Sequence, residues 1–336
     1  MNTGPAAVVP SVVRLRHLAG SEMTASLGLL ALVVIGFGLA SPRFLTGQSF
    51  TSIAFQLPEL GLLTLAMMMP IISGGFNLAI TFNANIAGLA MAAVLHATGG
   101  ADAGWLDFTL GVLAALAAGA AAGAVMGMVI AYTGAHPILV SLSMMIFLRG
   151  LGEFLTHGGD ISGFPLFVAR IGQGTLLSVP TPLWIFAGMV AAWHLLLTRT
   201  RLGFAARMIG SNIEATRYSG IRTRRALVLV YMLSGLMCGI AGIVMLTRFS
   251  SVRVGHGESY LLITVLACFL GGVDPCGGFG RVLPVVVALV TLQTIASGLN
   301  LLGANQHLAT ALWGAFLLAV LILRRVHLPK LGRPSS

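Results

Sequence analysis

Residues 60–78 read LGLLTLAMMMPIISGGFNL, an apolar run that stops at the pair Gly74-Gly75. A second apolar run, residues 259–273, stops at Gly271-Gly272, which is 197 residues after the first break. Non-helical backbone within a membrane must be buried in protein or line a cavity. Paired segments that are interrupted by glycine are typical of membrane proteins built from two repeated halves. The pattern therefore predicts two discontinuous helices in pseudo-repeated halves.

The composition shows that these runs belong to a membrane protein. Of the 336 residues, 57% are hydrophobic and only 8% are charged, whereas a soluble domain carries about 25% charged residues. The mean hydropathy is +0.96. These values exclude a soluble enzyme, a disulfide-rich secreted domain and a disordered chain.

Uncharged stretches predict about ten transmembrane helices within residues 25–325, because a spanning helix needs about 20 apolar residues. The fold class is therefore an all-α polytopic membrane protein. Residues 1–24 would form an N-terminal segment and residues 326–336 a tail. The uncharged stretches are 23–42, 60–101 (two helices), 108–148 (two helices, hinged at 134–137), 171–198, 226–247, 259–273 and 282–323 (two helices).

The distribution of charge predicts the orientation. With ten helices and a cytoplasmic N-terminus, 14 of the 19 basic residues lie inside and six of the nine acidic residues lie outside. This agrees with the positive-inside rule, so both termini are expected in the cytoplasm. The first span is expected to remain as a signal anchor. The net charge of +10 is thus explained without a nucleic-acid partner.

Glycines spaced four apart predict close helix packing. Gly119, Gly123 and Gly127 lie on the fourth helix, and Gly235 and Gly239 lie on the seventh. Such small-xxx-small spacing lets two helix backbones approach closely in lipid.

Amides in apolar segments are candidates for a translocation path. These are Asn77, Asn83 and Asn85 after the first break and Asn300 on the ninth helix. A buried amide without a partner costs about 1–3 kcal/mol, so these side chains either bond neighbouring helices or contact a polar solute in transit. The sequence leaves both interpretations open. We expect no charged pairs inside the spans, although ion-coupled carriers usually have them.

No residue pattern indicates catalysis on this chain. A phosphate-binding loop of the form G-x-x-x-x-G-K-[ST] is absent from the sequence, so ATP is not expected to bind here in that way. The histidines and cysteines lack metal-ligand spacing. We therefore expect no catalytic residue, no metal and no cofactor on this chain.

One basic loop, residues 199–225, lies between the sixth and seventh predicted helices. Asn212 can cap a short helix from Ile213 to Tyr218, and Gly220 can end it. A short capped helix at the membrane face is suited to docking into a groove of a partner protein.

Several stretches of the chain, between residues 25 and 325, resemble one family of bacterial membrane proteins. Residues 210–221, GSNIEATRYSGI, look like the coupling segment of ABC importer permeases, whose Glu-Ala-Ala-x3-Gly motif is similar to Glu214-Ala215-Thr216 followed by Gly220. Residues 72–78, ISGGFNL, resemble the Gly-Gly-Ile-Asp-Leu-Ser segment of ribose/xylose/arabinose-type sugar permeases. Residues 270–280 and 297–303 resemble the C-terminal half of that family. The sequence departs from the family at Asn77, at Ala79-Ile80-Thr81 and at Asp274-Pro275.

The resemblance implies a permease subunit of an ATP-driven importer for a small polar solute, such as a monosaccharide or related polyol. The implied partners are a cytoplasmic ATP-binding subunit, which would hold the ATP, a periplasmic solute-binding protein, and a second permease copy or paralogue. A nucleoside or branched-chain amino acid permease and an ion-coupled secondary carrier are the alternatives. The resemblance implies that the residues coupling the chain to the ATP-binding subunit are Gly210, Ser211, Asn212, Glu214, Ala215, Thr216 and Gly220.

Overall fold

The computed structural model describes residues 11–304 and 306–327, and these residues are mostly helical. Two short antiparallel strand pairs, β1 (Ile161–Ser162) with β4 (Ser251–Val252) and β2 (Thr175–Leu176) with β3 (Val179–Pro180), lie in the connections. A 3-10 turn covers Gly100–Asp102. The helices are α1 (Ser11–Ala40), α2 (Gly47–Ile72), α3 (Ile80–Thr98), α4 (Trp105–Thr133), α5 (Pro137–Thr156), α6 (Leu166–Gln173), α7 (Thr181–Arg199), α8 (Arg201–Ser211), α9 (Ile213–Tyr218), α10 (Thr223–Phe249), α11 (Tyr260–Leu270), α12 (Val282–Leu301) and α13 (Gln306–His327).

The length and composition of the described helices fit an all-α, multi-pass membrane protein. Seven of them are long and apolar enough to span a bilayer, namely α2, α3, α4, α5, α7, α10 and α12. Two shorter apolar helices are α11 and the Ser26–Ala40 part of α1. The count of ten stays a prediction. Of the predicted terminal segments, residues 1–10 and 328–336 lie outside the described residues, and α1 already begins at Ser11.

The two predicted breaks coincide with helix ends. Helix α2 ends at Ile72 and helix α11 ends at Leu270, each immediately before the glycine-containing segment. Helix α2 begins at Gly47 and has 26 residues, so the uncharged run from residue 60 is only its second half. Glu59, the charged residue before that run, lies inside the helix.

Helix α10 packs against α4 through backbone contact at glycine, as the spacing predicts. A Cβ atom on Gly123 would lie 3.0 Å from Cα of Gly235, and one on Gly119 would lie 3.0 Å from Cα of Gly239. Only glycine lets the two backbones come this close. The pair α4 and α10 thereby forms the centre against which α3 packs.

We expect Gly123→Ala to destabilise the protein by about 1–3 kcal/mol, because the new methyl group overlaps the backbone of α10. Thermal unfolding of the purified protein in detergent measures the effect. The matched control is Gly188→Ala on α7, where nothing lies within 4 Å of the added carbon. Equal unfolding temperatures for the two variants would contradict this account of the α4–α10 contact.

A charged pair is buried between α2 and α10, so the expectation of no charged pairs inside the spans is wrong. Glu59 is fully buried, and its Oε1 accepts a hydrogen bond from Nη1 of Arg248 at 2.5 Å. The hydroxyl of Tyr260 on α11 lies 3.5 Å from the other carboxylate oxygen, Oε2. The partners are 189 residues apart, which is why a scan of single segments does not reveal them. The pair ties the C-terminal end of α10 to the middle of α2.

We expect Glu59→Gln to cost about 3–5 kcal/mol of stability, because it leaves the mostly buried Arg248 guanidinium without an anion. The double variant Glu59→Leu/Arg248→Met should cost less than Glu59→Gln alone. A double-mutant cycle followed by thermal unfolding tests this coupling. Glu153→Gln, which removes an exposed i,i+4 pair with Arg149, should cost much less than Glu59→Gln, because exposed ion pairs contribute little to stability. Additive costs at Glu59 and Arg248 would contradict the coupling.

Candidate functional site

The segment between α7 and α10 contains the predicted short helix. Helix α9 runs Ile213–Tyr218, and Oδ1 of Asn212 caps it by accepting a hydrogen bond from the backbone N–H of Ala215 at 2.9 Å. The chain then turns at Gly220, whose φ of +80° is unfavourable for other residues. The local prediction of a capped helix that ends at glycine is confirmed.

Helix α9 is attached to the protein along one edge and is otherwise exposed. Thr216 is its one buried residue, and its hydroxyl donates to the backbone carbonyl of Asn212 at 2.7 Å. Tyr218 is 88% exposed and Ile213 is 46% exposed. Exposed apolar side chains at the end of a rigid helix are suited to a protein partner. Ser211, Asn212, Glu214, Ala215 and Gly220 are exposed as well.

A depression of about 620 Å³ lies beside α9, against the α4–α5 turn and the start of α10. Glu214 and Arg217 line it from α9. On the opposite wall, the guanidinium of Arg224 lies 5.6 Å from the ring centroid of Tyr132, within the range of a cation–π contact. The depression combines arginines with an aromatic ring, and both residue types are enriched at protein–protein interfaces.

Helix α8, which precedes α9, was not predicted from the sequence. Its buried face comprises Gly203, Ala205, Ala206 and Ile209, and it packs against α2, α7 and α10. Apolar positions 202, 205, 206 and 209 follow the i, i+3, i+4, i+7 pattern of an amphipathic helix. That pattern is the signal in the sequence that predicts α8 within the basic loop of residues 199–225.

The end of α8 meets both interrupted segments at a contact that we call the glycine junction, formed by Gly74, Gly210, Gly277 and Gly278. The backbone N–H of Gly278 donates to the carbonyl of Ile72 at 2.8 Å. A Cβ atom on Gly277 would lie 2.7 Å from Cα of Gly74 and 2.9 Å from Cα of Gly210. The two segments that follow α2 and α11 therefore touch each other and the start of the α9 segment through their backbones.

The unusual Asp274-Pro275 pair has a structural role in the second segment. Oδ1 of Asp274 accepts a hydrogen bond from the backbone N–H of Cys276 at 2.9 Å, and its backbone carbonyl accepts one from Gly277 at 3.0 Å. These bonds fold residues 274–277 into a tight turn that presents Gly277 to the junction. Earlier in the same segment, Gly271 packs against Val285 at the start of α12, and Gly272 follows it in the turn.

Asn77 completes a hydrogen-bond chain that begins at a proline. Pro70 has no backbone N–H, so the carbonyl of Ala66, four residues earlier in α2, lacks its helical partner. The hydroxyl of Ser234 on α10 donates to that carbonyl at 2.7 Å, and Nδ2 of Asn77 donates to Ser234 at 2.9 Å. A carboxylate at position 77 could not donate, so Ser234 would have to choose between two acceptors. In the segment before Asn77, Gly75 packs against Pro137.

Asn83 and Asn85 are also buried and bonded to neighbouring segments. Nδ2 of Asn83 donates to the carbonyl of Gly119 at 3.2 Å. With its amide oriented to satisfy both atoms, Asn85 donates to the carbonyl of His256 at 3.3 Å and accepts from Gly255 at 3.0 Å. Burial lowers the pKa of the His256 imidazole, and the charge of Arg253 lowers it further against the opposing effect of Asp160. A contact of these amides with solute stays a prediction.

Asn300 differs from the other three asparagines because it lines an open cavity. The cavity has a volume of about 620 Å³ and lies between the start of α2 and the end of α12. Arg43, Gln56 and Ser297 contribute further polar groups to its wall. Nε2 of Gln293 donates to Oε1 of Gln56 at 3.0 Å and so fixes that side chain. Such a wall can bind a hydroxylated solute by hydrogen bonds.

Among the described residues, no group of three or more His, Cys, Asp or Glu side chains is placed to hold a metal ion. Cys238 and Cys268 are buried and Cys276 is exposed.

Comparison with known proteins finds relatives that match most of the chain. The family model described as "Branched-chain amino acid transport system / permease component" matches residues 49–323. The ribose import permease protein RbsC of Escherichia coli K12 is 34% identical over 293 residues, which cover 85% of this chain and 88% of the relative. No solved structure matches the chain significantly.

Two further relatives are named for the transport of other solutes. The autoinducer 2 import system permease protein LsrD of Yersinia enterocolitica is 29% identical, over 90% of this chain and 92% of the relative. The L-arabinose transport system permease protein AraH of Escherichia coli K12 is 29% identical, over 88% of each chain. The family match covers well over half of the chain, including the α9 segment and the glycine junction. The chain therefore belongs to the family of branched-chain amino acid transport system permease components.

Proposed function

We propose that the protein is the membrane-spanning permease subunit of an ATP-binding-cassette importer for a small hydroxylated solute. The observation that carries the proposal is the exposed, capped helix α9, which follows directly on the end of α8, where Gly210 touches both interrupted segments. A secondary carrier has no need of such a docking helix. Membership of a permease family, with ribose, arabinose and autoinducer 2 permeases among the relatives, supports an importer of monosaccharides or related polyols.

In this proposal ATP binds and is hydrolysed on a separate cytoplasmic subunit, which docks on residues 210–221. Closure of the ATP-binding subunits moves α9. Because Gly210, Gly74 and Gly277 touch through their backbones, the movement reaches the ends of α2 and α11 without depending on a flexible side chain. The pathway then switches between outward-facing and inward-facing states. The residues proposed to couple are Gly210, Ser211, Asn212, Glu214, Ala215, Thr216 and Gly220.

The proposed orientation places α9 in the cytoplasm, together with both termini, and includes ten spans. A periplasmic solute-binding protein would deliver solute at the opposite end, where the cavity around Asn300 opens. A second copy of the chain, or a paralogue, would complete the pathway.

We propose Asn300 as a direct solute contact. The buried bonds of Asn77, Asn83 and Asn85 support a second role for these amides, which is to hold α2, α3, α4 and α10 around the pathway.

We expect Glu214→Arg/Tyr218→Ala to abolish capture of the ATP-binding subunit from native membranes and to reduce ATP-driven uptake at least tenfold. Both side chains are exposed, so the free energy of unfolding should change by less than about 0.5 kcal/mol. The measurement is affinity purification of the tagged chain in mild detergent, followed by mass spectrometry and an uptake assay. Asp102→Arg, a charge reversal at the opposite end of the protein, is the control. Undiminished capture by the α9 variant would refute the docking role.

We expect Asn300→Ala to raise the solute concentration needed for half-maximal uptake without changing the thermal unfolding temperature, because Asn300 faces a cavity. Asn77→Ala should instead lower the unfolding temperature, because Ser234 and the backbone N–H of Ala79 each lose a buried partner. Uptake kinetics and thermal unfolding of both variants separate the two roles. Unchanged uptake kinetics in Asn300→Ala would count against this cavity as part of the pathway.

A further inference from the structure

Two arginines face a groove at the end of the protein that also carries α9. The groove has a volume of about 380 Å³ and lies between the end of α7, the start of α12 and residue Met23 of α1. Arg207 on α8 and Arg281, which immediately precedes α12, lie on its wall. This volume is within the range that small-molecule sites occupy.

Neither arginine has an anionic partner among the described side chains. The ion pairs among the described side chains involve Arg149, Arg248 and Arg253. The guanidinium carbon of Arg281 lies 5.8 Å from the ring centroid of Phe279. Burial and the nearby charge of Arg281 both lower the pKa of the half-buried Arg207 guanidinium. Two like charges that face one groove repel each other, so an anion between them would remove an unfavourable interaction.

Apart from His194 and Thr198 of α7, the rest of the groove is lined by apolar side chains. Leu283 is 48% exposed, and together with Leu197 and Pro284 it forms a wall along α7 and α12. In the proposed orientation α7 ends and α12 begins at the cytoplasmic face. Basic pockets between helices at that face are suited to anionic lipid head groups.

We propose that this groove binds one anionic phospholipid of the cytoplasmic leaflet, with its phosphate between Arg207 and Arg281 and an acyl chain along Leu283. The inference rests on the orientation in the proposed function. The charge of the groove favours an anionic lipid over a zwitterionic one. The lipid would stabilise the position of α8, and thereby the base of the α9 segment, against α7 and α12.

The test is native mass spectrometry of the full-length chain in detergent, with phosphatidylglycerol or phosphatidylcholine of identical acyl chains added. Each basic side chain near a membrane surface contributes about fivefold to anionic lipid binding. The wild-type chain should therefore prefer phosphatidylglycerol by about thirtyfold, and Arg207→Gln/Arg281→Gln should show no preference. The control is Arg201→Gln, which changes an exposed residue of α8, the helix that carries Arg207. This variant should keep the preference. Arg281 is exposed, so Arg281→Gln should fold and by itself reduce the preference about fivefold.

Three results would overturn the proposal. The first is equal binding of the two lipids by the wild-type chain. The second is full displacement of the lipid by millimolar glycerol phosphate, which would assign the site to soluble phosphate. The third is an unchanged lipid preference in the double variant; if a separate affinity purification then shows that this variant no longer captures the ATP-binding subunit, the arginines belong to that interface. The lipid assay contains no ATP-binding subunit and no solute, so its failure is distinguishable from failure of the proposed function.

Discussion

Direct contact between backbones at Gly74, Gly210 and Gly277 is the constraint on which the rest of the architecture depends. A side chain at Gly210 or Gly277 would separate the segments that follow α2 and α11 from the end of α8, and the φ of +82° at Gly74 is unfavourable for other residues. Closely packed protein transmits displacement because it has little free volume to absorb it. The short exposed helix α9 is therefore mechanically continuous with two helices of the membrane domain, although it has only one buried residue of its own.

Local signals made the helix ends and the capped helix α9 predictable from the sequence. The hinge at residues 134–137 and the ends of α2 and α11 coincide with glycine or proline, because these residues alter the backbone itself. The cap at Asn212 and the turn at Gly220 depend only on residues within α9 and its flanks. The four-residue glycine spacing on α4 and α10 also indicated its contact correctly, since it reports the shape of each helix face.

Contacts between distant segments could not be predicted in the same way. The partners Glu59 and Arg248 belong to separate helices, and nothing near either residue indicates the other. The chain from Pro70 through Ala66 and Ser234 to Asn77 likewise becomes evident only when α2 and α10 are seen together. The sequence leaves two interpretations open for Asn77, a bond to a neighbouring helix or a contact with solute. The hydrogen bonds through Ser234 support the bond to a neighbouring helix. Helix α8 lies within a basic segment, and its apolar face becomes evident only from the spacing of its buried residues.

The central claim is that α9 docks on an ATP-binding subunit, and a site-specific crosslink in native membranes tests it most directly. A photoreactive phenylalanine analogue would replace Tyr218, which is 88% exposed, and another would replace Asp102 at the opposite end. After irradiation, mass spectrometry identifies the attached chains. The account predicts that position 218, and not position 102, attaches a chain with a G-x-x-x-x-G-K-[ST] phosphate-binding loop. Abundant crosslinking at position 218 without any such chain would contradict it.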